Sequence, residues 1–271
     1  MKTKKSITFF LVIAFTLSAV FDYLIIAAGI LEMTYALMWC PGVAAIIASL
    51  LYHRGENALN FRKCHVKHNL AGMWIPLVYL GVSYSIYVLI YGKSVITGNM
   101  ASDLIQMPNI LLLNLAIFFV TALGEEIGWR GYLSPKLRKA FGFHKGSLIS
   151  GIIWTAWHLP LVLAGYTSAN EIPLWFDIPM YSLQCIGMSY IMLYLSMKSK
   201  SVWPAAILHF THNFVCQLLL DQSIGGVMRP YLAGESGIIT SAAITVIAVV
   251  CAKICHGELK SKLIQTEPII I

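Results

Sequence analysis

Charged residues are scarce in this chain of 271 residues: Asp, Glu, Lys and Arg make up 11% of it, whereas hydrophobic residues make up 58%. A soluble domain carries about 25% charged residues. So little polar material cannot coat a globular surface in water. The composition therefore indicates a protein that dissolves in lipid. The length suits a single integral membrane domain, residues 1–271, because each span and its loop takes about 30 residues.

The signatures of other protein classes are also missing. Four of the six cysteines lie in apolar runs, where a free Cys is a small hydrophobic side chain, so we expect no disulfide framework. The net charge is +7, but the basic residues lie in short loops between apolar runs. This placement argues against nucleic-acid binding and has its own explanation in membrane topology. The first apolar run, 7–31, exceeds the core of about 7–15 residues of a signal peptide, which predicts a retained span.

Apolar runs predict an all-α bundle of about eight transmembrane helices, because each run is close to the roughly 20 residues that cross a bilayer. The predicted spans are 7–31, 33–51, 70–91, 105–127, 147–164, 179–197, 203–220 and 237–255. With the N-terminus inside, all of the 19 Lys and Arg except Lys93 and Arg229 fall on the inner side. Both termini are therefore predicted to be cytosolic.

The first polar motif in the spans is the segment Gly124-Glu125-Glu126 with Arg130. A charge at the centre of a bilayer costs about 2.5–3.5 kcal/mol, so such residues are informative. Glu126 and Arg130 are four apart and can pair on one helix face, which leaves Glu125 to face elsewhere. Gly124 and Gly128 have the small-xxx-small spacing of close helix packing. Taken alone, the motif also fits a charge cluster at the headgroups.

Two further motifs lie on other spans: Trp154 with His158, and His209 with Asn213. Each pair is four residues apart and shares a helix face, while His212 faces away from Asn213 by about 100°. Each motif alone also fits interhelical hydrogen bonding. Together with a carboxylate they suit water activation and stabilisation of an oxyanion. We expect them to converge on a site that opens to the cytosol.

In order and spacing, the three motifs resemble the CAAX protease and bacteriocin-processing family, which includes the type II CAAX prenyl endopeptidases. The family pattern is two adjacent Glu with Arg four residues after the second, then an aromatic residue with His four later, then His with Asn or an aliphatic-polar residue four later. The resemblance covers residues 124–213. Its one departure is Trp154, where Phe is commoner.

The resemblance implies an intramembrane endopeptidase. Glu125 would activate water with the help of His158. His209 and Asn213 would form the oxyanion site. The supporting residues would be Glu126 and Arg130. The implied partners are membrane lipid and a membrane-associated peptide or protein, which is prenylated only if the host prenylates proteins. We expect the protein in the cell membrane of a bacterium.

The need for a metal stays open at this point. The family is often described as metalloproteases, and a glutamate mechanism without metal is also proposed for it. The sequence lacks the His-Glu-x-x-His motif of zinc proteases. His158 and His209 could still hold zinc together with a Glu. We expect no other cofactor.

Two other functions compete with the peptidase. A proton-coupled transporter also uses intramembrane Glu and His, as a proton relay. A non-enzymatic immunity or accessory protein could have the same fold, because a fold does not fix a function. The concentration of polar residues at one end of three spans favours the enzyme over the transporter.

Overall fold

The structure, a computed structural model, describes residues 2–166 and 172–266. This part of the chain is almost entirely helical, and its only β-pairing is an isolated antiparallel bridge between Ile96 and Ile224. The predicted all-α class is confirmed. The helices are α1 (Lys2–Ile26), α2 (Met33–Leu37), α3 (Cys40–Tyr52), α4 (Val66–Tyr91), α5 (Met100–Gln106), α6 (Pro108–Glu126), α7 (Ser134–Leu163), α8 (Leu174–Ser199), α9 (Trp203–Asn213), α10 (Arg229–Leu232) and α11 (Ile238–Thr266).

Six helices in the described residues are long and apolar enough to cross a membrane. One of them, Pro108–Leu163, is 56 residues long and covers most of both the predicted fourth and fifth spans. Its backbone breaks at Gly142, where φ is 81°, a value that favours glycine. The predicted seventh span, 203–220, is helical but is not among the six. The count of eight spans and the cytosolic termini stay predictions.

The helices that carry the three motifs are packed between the others. α7 lies against α8, α9 lies between α4 and α6, and α11 lies against α8. The predicted close packing at Gly124 and Gly128 is confirmed. A Cβ atom added to Gly124 would lie 2.9 Å from the ring of Trp39, and one added to Gly128 would overlap Pro41. These two glycines therefore allow α3 to sit directly on the end of α6, next to Glu125.

Two π-helical segments follow the polar motifs. Ile127–Leu133 directly follows Glu126, and Phe214–Leu220 directly follows Asn213. A π-helix has hydrogen bonds between residues i and i+5, so it turns more widely than an α-helix, and it is frequently found at functional sites. Glu125, Glu126, His209 and Asn213 therefore lie shortly before their helices change winding, whereas His158 lies within α7.

Candidate active site

Glu125 lies at the end of α6 and is held by two indole groups. Its Oε2 atom accepts hydrogen bonds from Nε1 of Trp154 at 2.9 Å and from Nε1 of Trp129 at 3.3 Å. An indole N–H only donates, so both contacts suit an ionised carboxylate. Its Oε1 atom has no hydrogen-bond partner in the described part of the chain. The side chain is 1% exposed and lines a cavity.

Glu126 and Arg130 form the predicted pair in full burial. Oε1 of Glu126 accepts from Nη1 of Arg130 at 2.9 Å and from Nδ1 of His209 at 2.9 Å. The guanidinium also donates to the hydroxyl of Ser189 at 2.9 Å and lies 4.1 Å from the centre of the Trp154 ring. Neither Glu126 nor Arg130 is among the residues that line the cavity. They act on the site through His209 and Trp154.

His158, on α7, has a defined tautomer. Its Nδ1 atom lies 2.9 Å from the carbonyl oxygen of Trp154. A carbonyl only accepts, so Nδ1 carries a proton and, in the neutral ring, Nε2 is an acceptor. The ring lies among aromatic neighbours, with centroids 4.7 Å from Trp157 and 5.2 Å from Tyr181. These neighbours fix the orientation of the imidazole.

His209 and Asn213 lie one turn apart on α9. The contact with Glu126 places a proton on Nδ1 of His209. To donate from Nε2 as well, this ring must be an imidazolium, which a buried carboxylate stabilises. The side chain of Asn213 has no hydrogen-bond partner within the described residues, so its amide can donate to a ligand. Both residues can therefore supply donors to a negatively charged oxygen.

One cavity of about 710 Å³ brings the four predicted catalytic residues together. Glu125, His158, His209 and Asn213 all line it. It extends toward the end of the bundle formed by α2, the turn after α7 and the turn after the second π-helical segment. The lining residues there include Thr34, Tyr166 and Gln222.

This end of the bundle lies opposite the end that carries most of the basic residues. We expect the site to open at the basic, cytosolic end, whereas the residues that line the cavity run from Glu125 toward the other end. The side of the membrane on which the site opens stays a prediction. The direction of the cavity follows from the path of the helices. α6 reaches the basic end with Glu125 facing inward, so the open space lies on the side of Glu125 away from that end. If the basic end is cytosolic, the cavity opens on the opposite face.

The cavity also contains Glu235, which the sequence analysis missed. Its Oε1 atom is 3.7 Å from Nε2 of His212 and 3.4 Å from the amide nitrogen of Gln217. Burial raises the pKa of Glu235, but the nearby imidazole of His212 outweighs it and holds this pKa below its ordinary value. The other ring nitrogen of His212 lies 2.7 Å from the hydroxyl of Tyr79. Glu235 lies outside the spans, so a search for polar residues within spans could not find it.

The arrangement does not fit a zinc site. In the described residues, no group of three or more His, Cys, Asp and Glu side chains could hold a metal ion. Glu126 is turned toward Arg130, and the bound oxygen of Glu125 faces two indole donors, which also repel a cation. Glu125 is instead held in place by hydrogen bonds from Trp129 and Trp154.

The fold and the site define a class: a polytopic helical membrane protein with a buried carboxylate, two histidines and an amide around one cavity. Residues 107–215, which contain all three motifs, match the family model described as Type II CAAX prenyl endopeptidase Rce1-like. The chain is also 26% identical over 238 residues to CAAX prenyl protease 2 of Methanococcus maripaludis, covering 79% of this chain and 81% of that protein. The predicted resemblance is thereby confirmed, and with it the peptidase class.

Proposed function

We propose that this protein is an intramembrane endopeptidase that cleaves a peptide bond of a membrane-associated protein or peptide. One observation carries the proposal. Two indoles hold one oxygen of Glu125, while the other oxygen has no partner in the described part of the chain. That carboxylate lines the same cavity as His158, His209 and Asn213. A base and donors for an oxyanion are the parts that amide hydrolysis needs.

In the proposed mechanism, Glu125 takes a proton from a water molecule. Nε2 of His158 accepts a hydrogen bond from the same water and orients it. The water oxygen bonds to the carbonyl carbon of the peptide, and the carbonyl oxygen becomes negatively charged. His209 and Asn213 donate hydrogen bonds to this oxyanion. Glu125 then gives its proton to the peptide nitrogen, and the C–N bond breaks.

Glu126 and Arg130 are positioning residues in this proposal. Glu126 orients His209 and stabilises its protonated form, which can donate from Nε2. Arg130 balances the buried charge of Glu126. Without this balance, an isolated carboxylate in the bundle would cost several kcal/mol.

The substrate is proposed from the cavity and the relative. The volume of about 710 Å³ lies within the range of about 300–1,000 Å³ of small-ligand sites, so it suits a short extended peptide. The relative is called a CAAX prenyl protease. A peptide with a prenylated C-terminal sequence is therefore the first substrate to test, beside the same peptide without a lipid.

The test is peptide release in proteoliposomes. Wild-type protein and Glu125→Gln are given prenylated and unprenylated CAAX peptides, and products are identified by mass spectrometry. We expect release by the wild type and none above background by the variant. Equal release by both would remove Glu125 from the role of base. A folded wild type that cleaves neither these peptides nor the membrane proteome would favour the accessory role.

A further inference from the structure

A second hollow, of about 470 Å³, lies at the other end of the bundle from the active-site cavity. It forms where the chain enters α4 and leaves α8. Both are long apolar helices, so their ends lie at the level of the lipid headgroups. The lining residues are Lys63, Cys64, His65, His68, Lys198, Ser199 and Lys200.

This hollow concentrates positive charge from two distant parts of the sequence. Three lysines and two histidines line it, and none of the lining residues that the structure describes is acidic. The imidazole rings of His65 and His68 are 6.3 Å apart. The charges of the three lysines that share this hollow repel each other, so the arrangement favours a bound anion.

The start of α4 adds to this potential. α4 has 26 residues and begins at Val66, and the preceding His65 makes no side-chain hydrogen bond to its first amides. The first N–H groups of a helix have no partner within the helix and carry a partial positive charge, which attracts phosphate groups. Helix geometry and side-chain charge therefore favour the same kind of ligand.

Membrane topology alone does not account for the hollow. The preference for basic residues on one side of a membrane explains why lysines lie at this end. It does not explain why five basic side chains from two segments meet in one concavity. Lys139 and Lys145 lie at the same end of the bundle and do not line the hollow.

We infer that this hollow binds the phosphate group of an anionic phospholipid. Basic hollows between transmembrane helices at the headgroup level are suited to such headgroups. The lipid chains would lie along the apolar surfaces of α4 and α8. The inference does not depend on the proposed peptidase activity, because the two cavities share no lining residue.

The test is lipid binding to purified full-length protein in a neutral detergent. Short-chain phosphatidylglycerol is titrated and bound lipid is counted by native mass spectrometry, with phosphatidylcholine as the uncharged comparison. The double variant Lys63→Gln/Lys200→Gln removes two charges from the hollow. Lys139→Gln/Lys145→Gln removes two charges from the same end outside it. We expect the first variant to bind phosphatidylglycerol about 25-fold more weakly, since each basic residue is worth about fivefold, and the second to bind like the wild type.

Three results would overturn the inference. Equal weakening in both double variants would show a general charge effect and no site. Equal binding of phosphatidylcholine would exclude recognition of the anionic headgroup. Displacement by inorganic phosphate at the concentration at which phosphatidylglycerol binds would assign the hollow to a free anion. Unchanged unfolding temperatures without lipid confirm that the variants are folded.

Discussion

Nδ1 of His209 lies 2.9 Å from Oε1 of Glu126, 83 positions earlier in the chain. This hydrogen bond joins α9 to the end of α6 inside the bundle. It fixes which nitrogen of His209 carries a proton and therefore which nitrogen can serve a substrate. The resemblance implies only a supporting role for Glu126. This contact indicates what that role would be, because Glu126 orients the ring of His209.

The first prediction concerns the base. Glu125→Gln removes the proton acceptor but keeps an oxygen that can accept from Trp154 and Trp129, so the fold should persist. We expect peptide hydrolysis to fall by about 10²–10⁴, the contribution of general-base catalysis. The measurement is the initial rate in proteoliposomes. Glu56→Gln, the same change at an exposed site, is the control and should retain the wild-type rate. A fall of less than tenfold in Glu125→Gln would contradict the assignment.

The second prediction concerns the buried pair. Arg130→Met leaves Glu126 buried with only His209 as a charged partner, and breaking such a pair costs about 3–5 kcal/mol. The free energy of unfolding in a mild detergent should fall by this amount. Arg138→Met, at an exposed position, should change it by less than about 0.5 kcal/mol. Equal stability of the two variants would show that the pair is not stabilising.

The third prediction separates the two contributions of Trp154. Trp154→Phe keeps a ring beside Arg130 and loses one hydrogen bond to a carboxylate, worth about 1.5–3 kcal/mol. Trp154→Ala loses the ring as well, and truncation of a buried aromatic residue costs about 3–5 kcal/mol. We expect Trp154→Phe to be the more stable of the two and to keep measurable activity. Trp154→Phe should exceed Trp154→Ala both in its free energy of unfolding and in its rate of hydrolysis. The reverse order would show that the ring of Trp154 does not contribute separately from its hydrogen bond.

The fourth prediction is a pH dependence. The pKa of Glu235 is held below its ordinary value of 4.5 by His212. A carboxyl group whose pKa is lowered by folding contributes its full stabilisation at pH values above its ordinary pKa. This stabilisation is lost as the pH falls through the pKa of the folded state. The stability difference between wild type and Glu235→Gln should therefore shrink as the pH is lowered below about 4.5. Unfolding temperatures across this pH range test it, and a difference that is constant with pH would contradict it.

The fifth prediction concerns the side of the membrane. The charge asymmetry predicts a cytosolic basic end, and the cavity extends toward the other end. A single cysteine at Gln222, which is exposed and lines the cavity, should then react with an impermeant thiol reagent in intact cells. A cysteine at Lys145, at the basic end, should react only after permeabilisation. The opposite pattern would place the cavity mouth in the cytosol and reverse the orientation.

Local geometry made part of the site predictable. Helical spacing predicts that residues four apart share a face, and the pairing of Glu126 with Arg130 followed from it. The same rule would have found Trp129, which is four residues after Glu125 and donates to it. Span-length apolar runs were enough for the all-α class, because only helices satisfy their own backbone in lipid without closing a sheet.

Other features depend on how the helices pack, which spacing does not encode. The contact of His209 with Glu126 joins residues far apart in sequence. Glu235 reaches the cavity from a short segment between α10 and α11. The direction in which the cavity extends depends on which space the helices leave unfilled. Sequence spacing located the end of α6 correctly but could not say on which side of Glu125 that space lies.

The ring of Trp154 stands between two opposite charges. Its N–H bonds to Glu125, while Arg130 lies 4.1 Å from the ring centre. A guanidinium in direct contact with Glu125 would form a bidentate pair and occupy the oxygen that a base needs. The indole is thus a spacer that contacts both groups: Arg130 pairs with Glu126, while Glu125 bonds to the indole N–H. Two adjacent glutamates therefore have different surroundings: Glu126 is bonded to Arg130 and His209, whereas Glu125 is bonded to two neutral indoles.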